Sequence, residues 1–298
     1  MRVLLTGASG WIGSAVVPLL LADGHDVVGL ARSDASADRV AALGATPLRG
    51  SLDDLEVLAS AAADSDAVVH LGYVHDFSAM AQAAATDRAV IDTVGEALAG
   101  TGRPLVIASG ALGLPAGATE DDRPDAGAHP RIANAAALLA LADRGVRPVV
   151  VRFAPTVHGE GDLGFTATLA RVARERGVSA YVGDGANRWP AVHVRDAADL
   201  VRRVVEHDEG GPVVHAVAEE GVAARDIAAA LGDAIGVPTT SVAPDAAAEH
   251  FGWIGAFFAM DAAVSNALTR ERTGWVPTGP TLLEDIAAGH YPGTASHS

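Results

Sequence analysis

Thr6-Gly7-Ala8-Ser9-Gly10-Trp11-Ile12-Gly13 follows directly on the apolar run Val3-Leu4-Leu5. The order reads as a strand, a glycine-rich turn and the opening of a helix, a corner built to receive a pyrophosphate. Gly7 permits a tight turn, and Gly10 lets backbone approach a phosphate with no Cβ in the way. Gly13 lets the helix pack closely on the strand, so that its free N–H groups face the anion. Within this corner Gly7, Ser9, Gly10, Trp11, Ile12 and Gly13 are the candidate cofactor contacts.

Outward from the corner, short apolar runs recur at Val3–Leu5, Val27–Leu30, Ala67–Leu71, Pro104–Ala108 and Val149–Phe153. Runs of this kind, nearly all apolar, suit strands covered on both faces of a parallel sheet. Helical patterns lie between them: Trp11–Ala22 with Gly24 as its stop, Leu52–Ala63, Ala79–Leu98 and Arg131–Arg144. Thr46–Arg49 adds a further strand. The alternation predicts an α/β fold, a doubly wound parallel Rossmann sheet with right-handed crossovers. Beyond residue 155 the texture changes to shorter elements. Helices are expected at Phe165–Arg176, at Asp196–His207 with Asp196 as N-cap, and at Ala224–Ile235. Strands are expected at Ser179–Val182, Ala191–Val194 and Val213–Val217. Residues 1–155 then form the nucleotide-binding domain, and 156–298 mostly a smaller substrate lobe.

Composition narrows the class. The 298 residues carry a net charge of -16, which argues against nucleic acid or an anionic membrane as partner. Every one of the 21 basic residues is arginine, and there is no cysteine, so neither a disulfide nor a thiolate site exists. The first thirty residues show no signal-peptide pattern and no apolar run is long enough to span a bilayer, which predicts a soluble, cytoplasmic protein. No His/Asp/Glu grouping has zinc spacing, and no metal is expected.

The glycine spacing resembles the extended short-chain dehydrogenase/reductase family. So do Val192-His193-Val194-Arg195-Asp196-Ala197-Ala198 and the ending Gly274-Trp275-Val276-Pro277 with Leu282-Leu283-Glu284-Asp285. More narrowly, the chain is similar to the atypical, NAD-dependent epimerase/dehydratase-like branch, which keeps the glycine fingerprint and lacks the usual catalytic residues. The resemblance implies an interleaved second lobe and an NAD(P)-dependent oxidoreductase acting on a carbonyl or related group of a small organic substrate. It also suggests a homodimer through the helices at Ala79–Leu98 and Arg131–Arg144. Two alternatives stay open: a non-catalytic NADP(H) sensor, and a lyase, isomerase or cyclase on the same scaffold.

The residue just past the second strand selects the cofactor. An acid there would bind the ribose 2′-hydroxyl, whereas Arg32 with Ser33 suits a 2′-phosphate. NADP is therefore expected, with NAD as the alternative. By resemblance, Ser51 and Leu52 meet adenine, Leu71 and Gly72 run along the pyrophosphate and ribose, and Pro155 and Val157 lie against the nicotinamide.

The family's Tyr-x-x-x-Lys pair has no counterpart. The stretch where it should stand, Gly127–Asn134, offers only Arg131 as a cation and no tyrosine. Tyr73 alone among the tyrosines falls at the carboxyl end of a parallel strand, so it is the candidate acid. Ser109, His158 and His193 are the supporting catalytic candidates, because a neutral imidazole can donate a proton near physiological pH. His75, Asn187, Arg188 and Trp189 are expected to shape the substrate pocket.

Overall fold

The computed structural model describes residues 1–74, 79–208 and 210–291. The apolar runs form β1 (Arg2–Thr6), β2 (Asp26–Ala31), β3 (Thr46–Arg49), β4 (Ala67–His70), β5 (Pro104–Gly110) and β6 (Arg147–Phe153). Further along come β7 (Thr156–His158), β8 (Ser179–Val182), β9 (Arg188–His193), β10 (Val213–Ala216), β11 (Glu219–Ala223) and β12 (Thr239–Val242). The helices in the first half are α1 (Trp11–Ala22), α2 (Asp34–Ala42), α3 (Leu55–Ala63), α4 (Met80–Ala97) and α5 (Pro130–Ala140). Those in the second half are α6 (Phe165–Arg176), α7 (Val194–Glu206), α8 (Ala224–Ile235), α9 (Ala247–Phe251), α10 (Ile254–Phe258), α11 (Ala267–Thr273) and α12 (Leu282–Ala287).

Seven strands make one parallel sheet in the order β10-β6-β5-β4-β1-β2-β3. The order reverses between β1 and β4, the crevice in which doubly wound sheets bind ligands outside their carboxyl ends. Both faces are covered, as the uniformly apolar strands require. On one face Val16 and Leu20 of α1 and Leu200 and Val204 of α7 pack over Leu5, Val106 and Val151. On the other, Leu58 of α3, Ile91 and Val94 of α4 and Leu138 of α5 pack over Leu4, Val68 and Leu105. This is the α/β Rossmann fold that the alternation predicts.

The chain crosses the division at residue 155. After β7, β8 and β9 have begun the lobe, α7 returns to lie beside α1, and β10 extends the main sheet next to β6. The lobe has its own core, in which Trp189, Phe251, Phe258, Ile227, Leu282 and Ile286 are enclosed, above two small sheets, β11-β9-β7 and β12-β8. The two C-terminal stretches quoted for the resemblance pack on each other. Trp275 is fully buried and donates its indole N–H to the Asp196 carbonyl, while the Asp196 carboxylate accepts from the N–H groups of Thr278 and Gly279. Among the described residues no helix is long and apolar enough to cross a membrane.

Three local expectations change. Asp196 is not a cap: α7 starts two residues earlier, with His193 at the N-cap accepting from the Arg195 N–H. The helix read as Arg131–Arg144 ends at Ala140 and tightens into a 3₁₀ turn, which Gly145 closes in the left-handed region at φ 72°. Helix α2 carries too few apolar residues to have signalled itself; only Ser36 and Val40 are buried.

Candidate active site

The glycine corner forms as its spacing requires. Gly7 sits at φ 74°, and a Cβ there would come within 2.7 Å of the Gly72 nitrogen, so the turn at the end of β1 lies hard against the turn at the end of β4. A Cβ on Gly13 would lie 2.1 Å from the Gly7 carbonyl oxygen, which only a bare backbone permits. At Gly10, by contrast, a Cβ meets only the Gly7 oxygen at 3.1 Å, and its φ of -84° suits any residue. Gly10 provides no side chain to cap α1, so the helix N-terminus is left for an anion. A cradle that any side chain would fill, ending at an uncapped helix, fits a dinucleotide pyrophosphate. Gly7, Ser9, Gly10, Ile12 and Gly13 would hold it. Trp11 does something further: its indole N–H donates to the Val157 carbonyl at 2.8 Å, tying the glycine corner to β7, just beyond the end of β6.

At the end of β2, Arg32 is exposed, beside the start of α2. Ser33 is not a spare phosphate donor. It is the N-cap of α2, where its hydroxyl oxygen accepts from the Ser36 N–H, its own proton goes to the Ser36 hydroxyl oxygen at 3.1 Å, and that oxygen, accepting from the Ser33 N–H, closes the reciprocal capping box. Asp34, the acid that would have favoured NAD, is drawn aside to Arg49 on the neighbouring strand at 2.9 Å, an exposed pair. On the adenine side, Ser51 is held by Asp54, which accepts from both its N–H and its hydroxyl and is thereby kept below the usual carboxylate range. The sequence reading of Ser51 and Leu52 missed Asp54, although an acid three residues after a serine is a recognisable turn. Leu52 packs toward Gly72, where a Cβ would meet its side chain at 3.3 Å. Leu71 and Gly72, directly after β4, both lie half-buried against the end of β1.

Tyr73 stands directly after Gly72, half-buried, with the guanidinium of Arg131 4.3 Å from the centre of its ring. Burial pushes its phenol above the ordinary value; Arg131 opposes that shift and Asp87 reinforces it. Behind Tyr73 runs a buried polar chain. The Gly72 N–H donates to the Thr6 hydroxyl, the hydroxyl donates to Nδ1 of His70, and Nε2–H of His70 donates to Asp87 at 3.1 Å. The tautomer follows from the carboxylate, which can only accept. Asn134 on α5 donates to the other Asp87 oxygen and to the Ala84 carbonyl. Such a satisfied network fixes β1, β4, α4 and α5 relative to one another. Ser109 is buried in β5, beside Arg152 of β6.

The histidine candidates are placed differently from expectation. His158 is fully enclosed, with Nδ1 2.8 Å from Asp285, a residue equally buried on α12. Desolvation lowers its pKa and keeps it neutral. An enclosed ring cannot touch a substrate, so His158 is a tie between the lobe's β7 and α12. The other oxygen of Asp285 takes His290, and the Tyr291 hydroxyl donates to the buried Asp162 nearby. Burial raises the carboxyl of Asp162 and pushes the Tyr291 phenol far up. His193 lies edge-on to His158, ring centres 5.4 Å apart, and its Nδ1 is committed to the α7 cap. Its pKa too is lowered, by burial first and by His158 second.

Pro155 and Val157 are both half-buried, and the Val157 carbonyl is the one that takes the Trp11 indole. His75 lies outside the described residues. The other substrate candidates serve the lobe. Trp189 has no exposed surface and packs edge-on to Phe258, so it supports the lobe from within and lines no open pocket. Asn187 donates to the carbonyls of Phe258 and Met260, and Arg188 pairs with Asp261; together they fasten the loop after α10. The asparagine-arginine-tryptophan order signalled a pocket wall where the structure has a fastening of the lobe core.

With this geometry in hand, the comparisons are specific. The model of the NAD dependent epimerase/dehydratase family matches residues 3–218. An uncharacterized protein of Schizosaccharomyces pombe is 43% identical over 299 residues, covering 98% of this chain and all of its own length. A ketoreductase of Stigmatella aurantiaca, acting on a 3-oxo-dihydroquinoline oxide, is 28% identical over 237 residues, 72% of this chain and 67% of its own. Among solved structures, the UDP-glucose 4-epimerase of Thermus thermophilus in complex with NAD superposes with a TM-score of 0.72 at 20% identity, covering 99% of this chain and all of that one.

Proposed function

The chain belongs to the NAD dependent epimerase/dehydratase family, and from that membership we propose that it is an oxidoreductase using NADP(H) on a carbonyl of a small organic substrate. Tyr73 carries the reading. It is a phenol at the carboxyl end of a parallel strand, adjoining the glycine corner, and its partly buried setting keeps it protonated. The Stigmatella relative, a ketoreductase, supports the same class of reaction, and the neighbouring epimerase binds NAD. Arg32 supports NADP over NAD, because a guanidinium pairs with a 2′-phosphate and Asp34 is turned toward Arg49.

In this reading a bound reduced nicotinamide supplies hydride to the carbonyl carbon. The chain's own work is to hold the pyrophosphate on Gly7, Gly10, Gly13 and the start of α1, and to seat Trp11 and Val157 beside the ring. Tyr73 then gives its phenolic proton to the substrate oxygen. General acid catalysis of this kind contributes about 10²–10⁴-fold. The test is a panel of aldehydes, ketones and quinones with NADPH, comparing the natural protein with Tyr73→Phe. NADPH oxidation that drops by about that factor in Tyr73→Phe, with the nucleotide affinity unchanged, is the expected result. A turnover equal in both proteins would remove Tyr73 from the chemistry.

A further inference from the structure

Arg131 is a cation in an unfavourable place. It is the second residue of α5, in the first helical turn, where the macrodipole favours negative charge, and no acidic residue in that turn offsets it. Among the described residues it has no carboxylate partner. The nearby carboxylate, Asp87, is taken by His70 and Asn134. Its guanidinium instead donates to the Ala108 carbonyl of β5 at 3.2 Å and covers the face of the Tyr73 ring. The placement is firm: Pro130 opens the helix, His129 caps it by accepting the Arg131 N–H, and Asn134, one turn on, pins α5 to α4. A half-buried cation held against a helix dipole and laid on a phenol is arranged to stabilise negative charge on that phenol.

We propose that Arg131 is the positioning and charge-stabilising partner of Tyr73, the two forming across space a proton-donating couple drawn from different elements of the fold. The inference rests on the reading of Tyr73 as the acid. As the carbonyl carbon gains its hydride, the π pair moves to oxygen. The Tyr73 O–H bond breaks, and its proton goes to that oxygen. The electron pair stays on the phenol beside the guanidinium until water returns a proton; the reductant is the reduced nicotinamide. Arginine fits this role because it stays charged throughout and never competes for the proton. It does so by field and position, without itself giving up a proton.

The test needs no substrate. The chain has three tyrosines, so an ultraviolet titration of the natural protein minus that of Tyr73→Phe isolates Tyr73. Among the described residues, the charged groups that shift it are Arg131 from α5 and Asp87 from α4. In Arg131→Met, compared with its own Tyr73→Phe double variant, the isolated titration should move up by about one pH unit or more. Arg131→Lys should fall between, and it keeps the test alive if the methionine variant folds poorly. NADP affinity, measured alongside by calorimetry, should stay within about threefold. An unmoved Tyr73 titration in both variants overturns the couple, and so does loss of NADP affinity without any such movement, which would assign Arg131 to the nucleotide. If the natural protein binds no nucleotide at all, the oxidoreductase reading fails while a moved titration still establishes the pair.

Discussion

The glycine corner and the edge proposed to donate a proton lie side by side at the carboxyl ends of the same sheet, yet they are built in opposite ways. The corner is backbone: Gly7, Gly10 and Gly13 act by what they lack, and seven consecutive positions fix the turn, the close approach and the helix start. The edge is side chain: Tyr73 after β4, Arg131 on α5, and the Thr6–His70–Asp87–Asn134 chain behind them come from four elements. Local sequence specifies the first almost completely. Only the assembled sheet brings the second together, so it can be remodelled without disturbing the cradle, and a chain without a Tyr-x-x-x-Lys pair still keeps the nucleotide fingerprint.

The sharpest way to break this contrast is to remove a long-range tie. Asp285 is fully buried and joins His158 of β7 to His290. Asp285→Ala should cost about 1–3 kcal/mol, the toll of leaving the buried, neutral His158 without its acceptor. Chemical denaturation reads that directly, and NADP binding by the protein that remains folded should persist. Collapse of nucleotide binding in still-folded protein would show that the cradle depends on the lobe.

A gentler probe is acid. His158, His193 and His215 all have pKa values lowered by burial. A group depressed in the fold binds its proton more readily when unfolded. Stability from these three is therefore complete above about pH 6.5 and declines as pH falls below that value. Asp162, whose carboxyl is raised, works the other way at lower pH. The melting temperature should accordingly fall between about pH 7 and pH 5.5, and His158→Asn should flatten part of that slope if it folds. A melting temperature that rises on acidification would mean that His158 is held as imidazolium by Asp285.

Smallest of all should be Ser33→Ala. Losing an N-cap costs about 1 kcal/mol, and since the Ser33 hydroxyl is already used by α2, NADPH affinity should barely change. A large loss of affinity would restore Ser33 as a phosphate donor and make the end of β2 a side-chain site as well.

How much of this was legible follows the same division. The strands, their parallel sense and the glycine turn were readable because hydrophobic runs and turn chemistry act within a few residues. Ser33 was misjudged because a serine closes its capping box at a position usually held by Glu or Gln. His193 and Asp196 were exchanged as caps because both suit the position and only the tertiary pull of Thr278 and Gly279 separates them. His158 with Asp285, separated by 127 residues, and Tyr73 with Arg131 left no trace in spacing. Trp189 read as a pocket wall because an aromatic beside polar residues looks the same whether it faces a ligand or the lobe's core.

If the exposed backbone cradle holds a dinucleotide with a 2′-phosphate, calorimetry will show it. NADPH, NADP, NADH and NAD would be titrated into the natural protein, Gly10→Val and Arg32→Asp. Gly10 is chosen because a side chain there burdens the cradle while the backbone itself tolerates it. The account predicts saturable binding that favours the phosphorylated pair in the natural protein. It predicts loss of binding in Gly10→Val at an unchanged melting temperature, and loss of about 10–100-fold for NADPH and NADP, but not for NADH or NAD, in Arg32→Asp, the worth of a charge-assisted contact. Absence of binding for all four nucleotides, or equal binding by Gly10→Val, would contradict it.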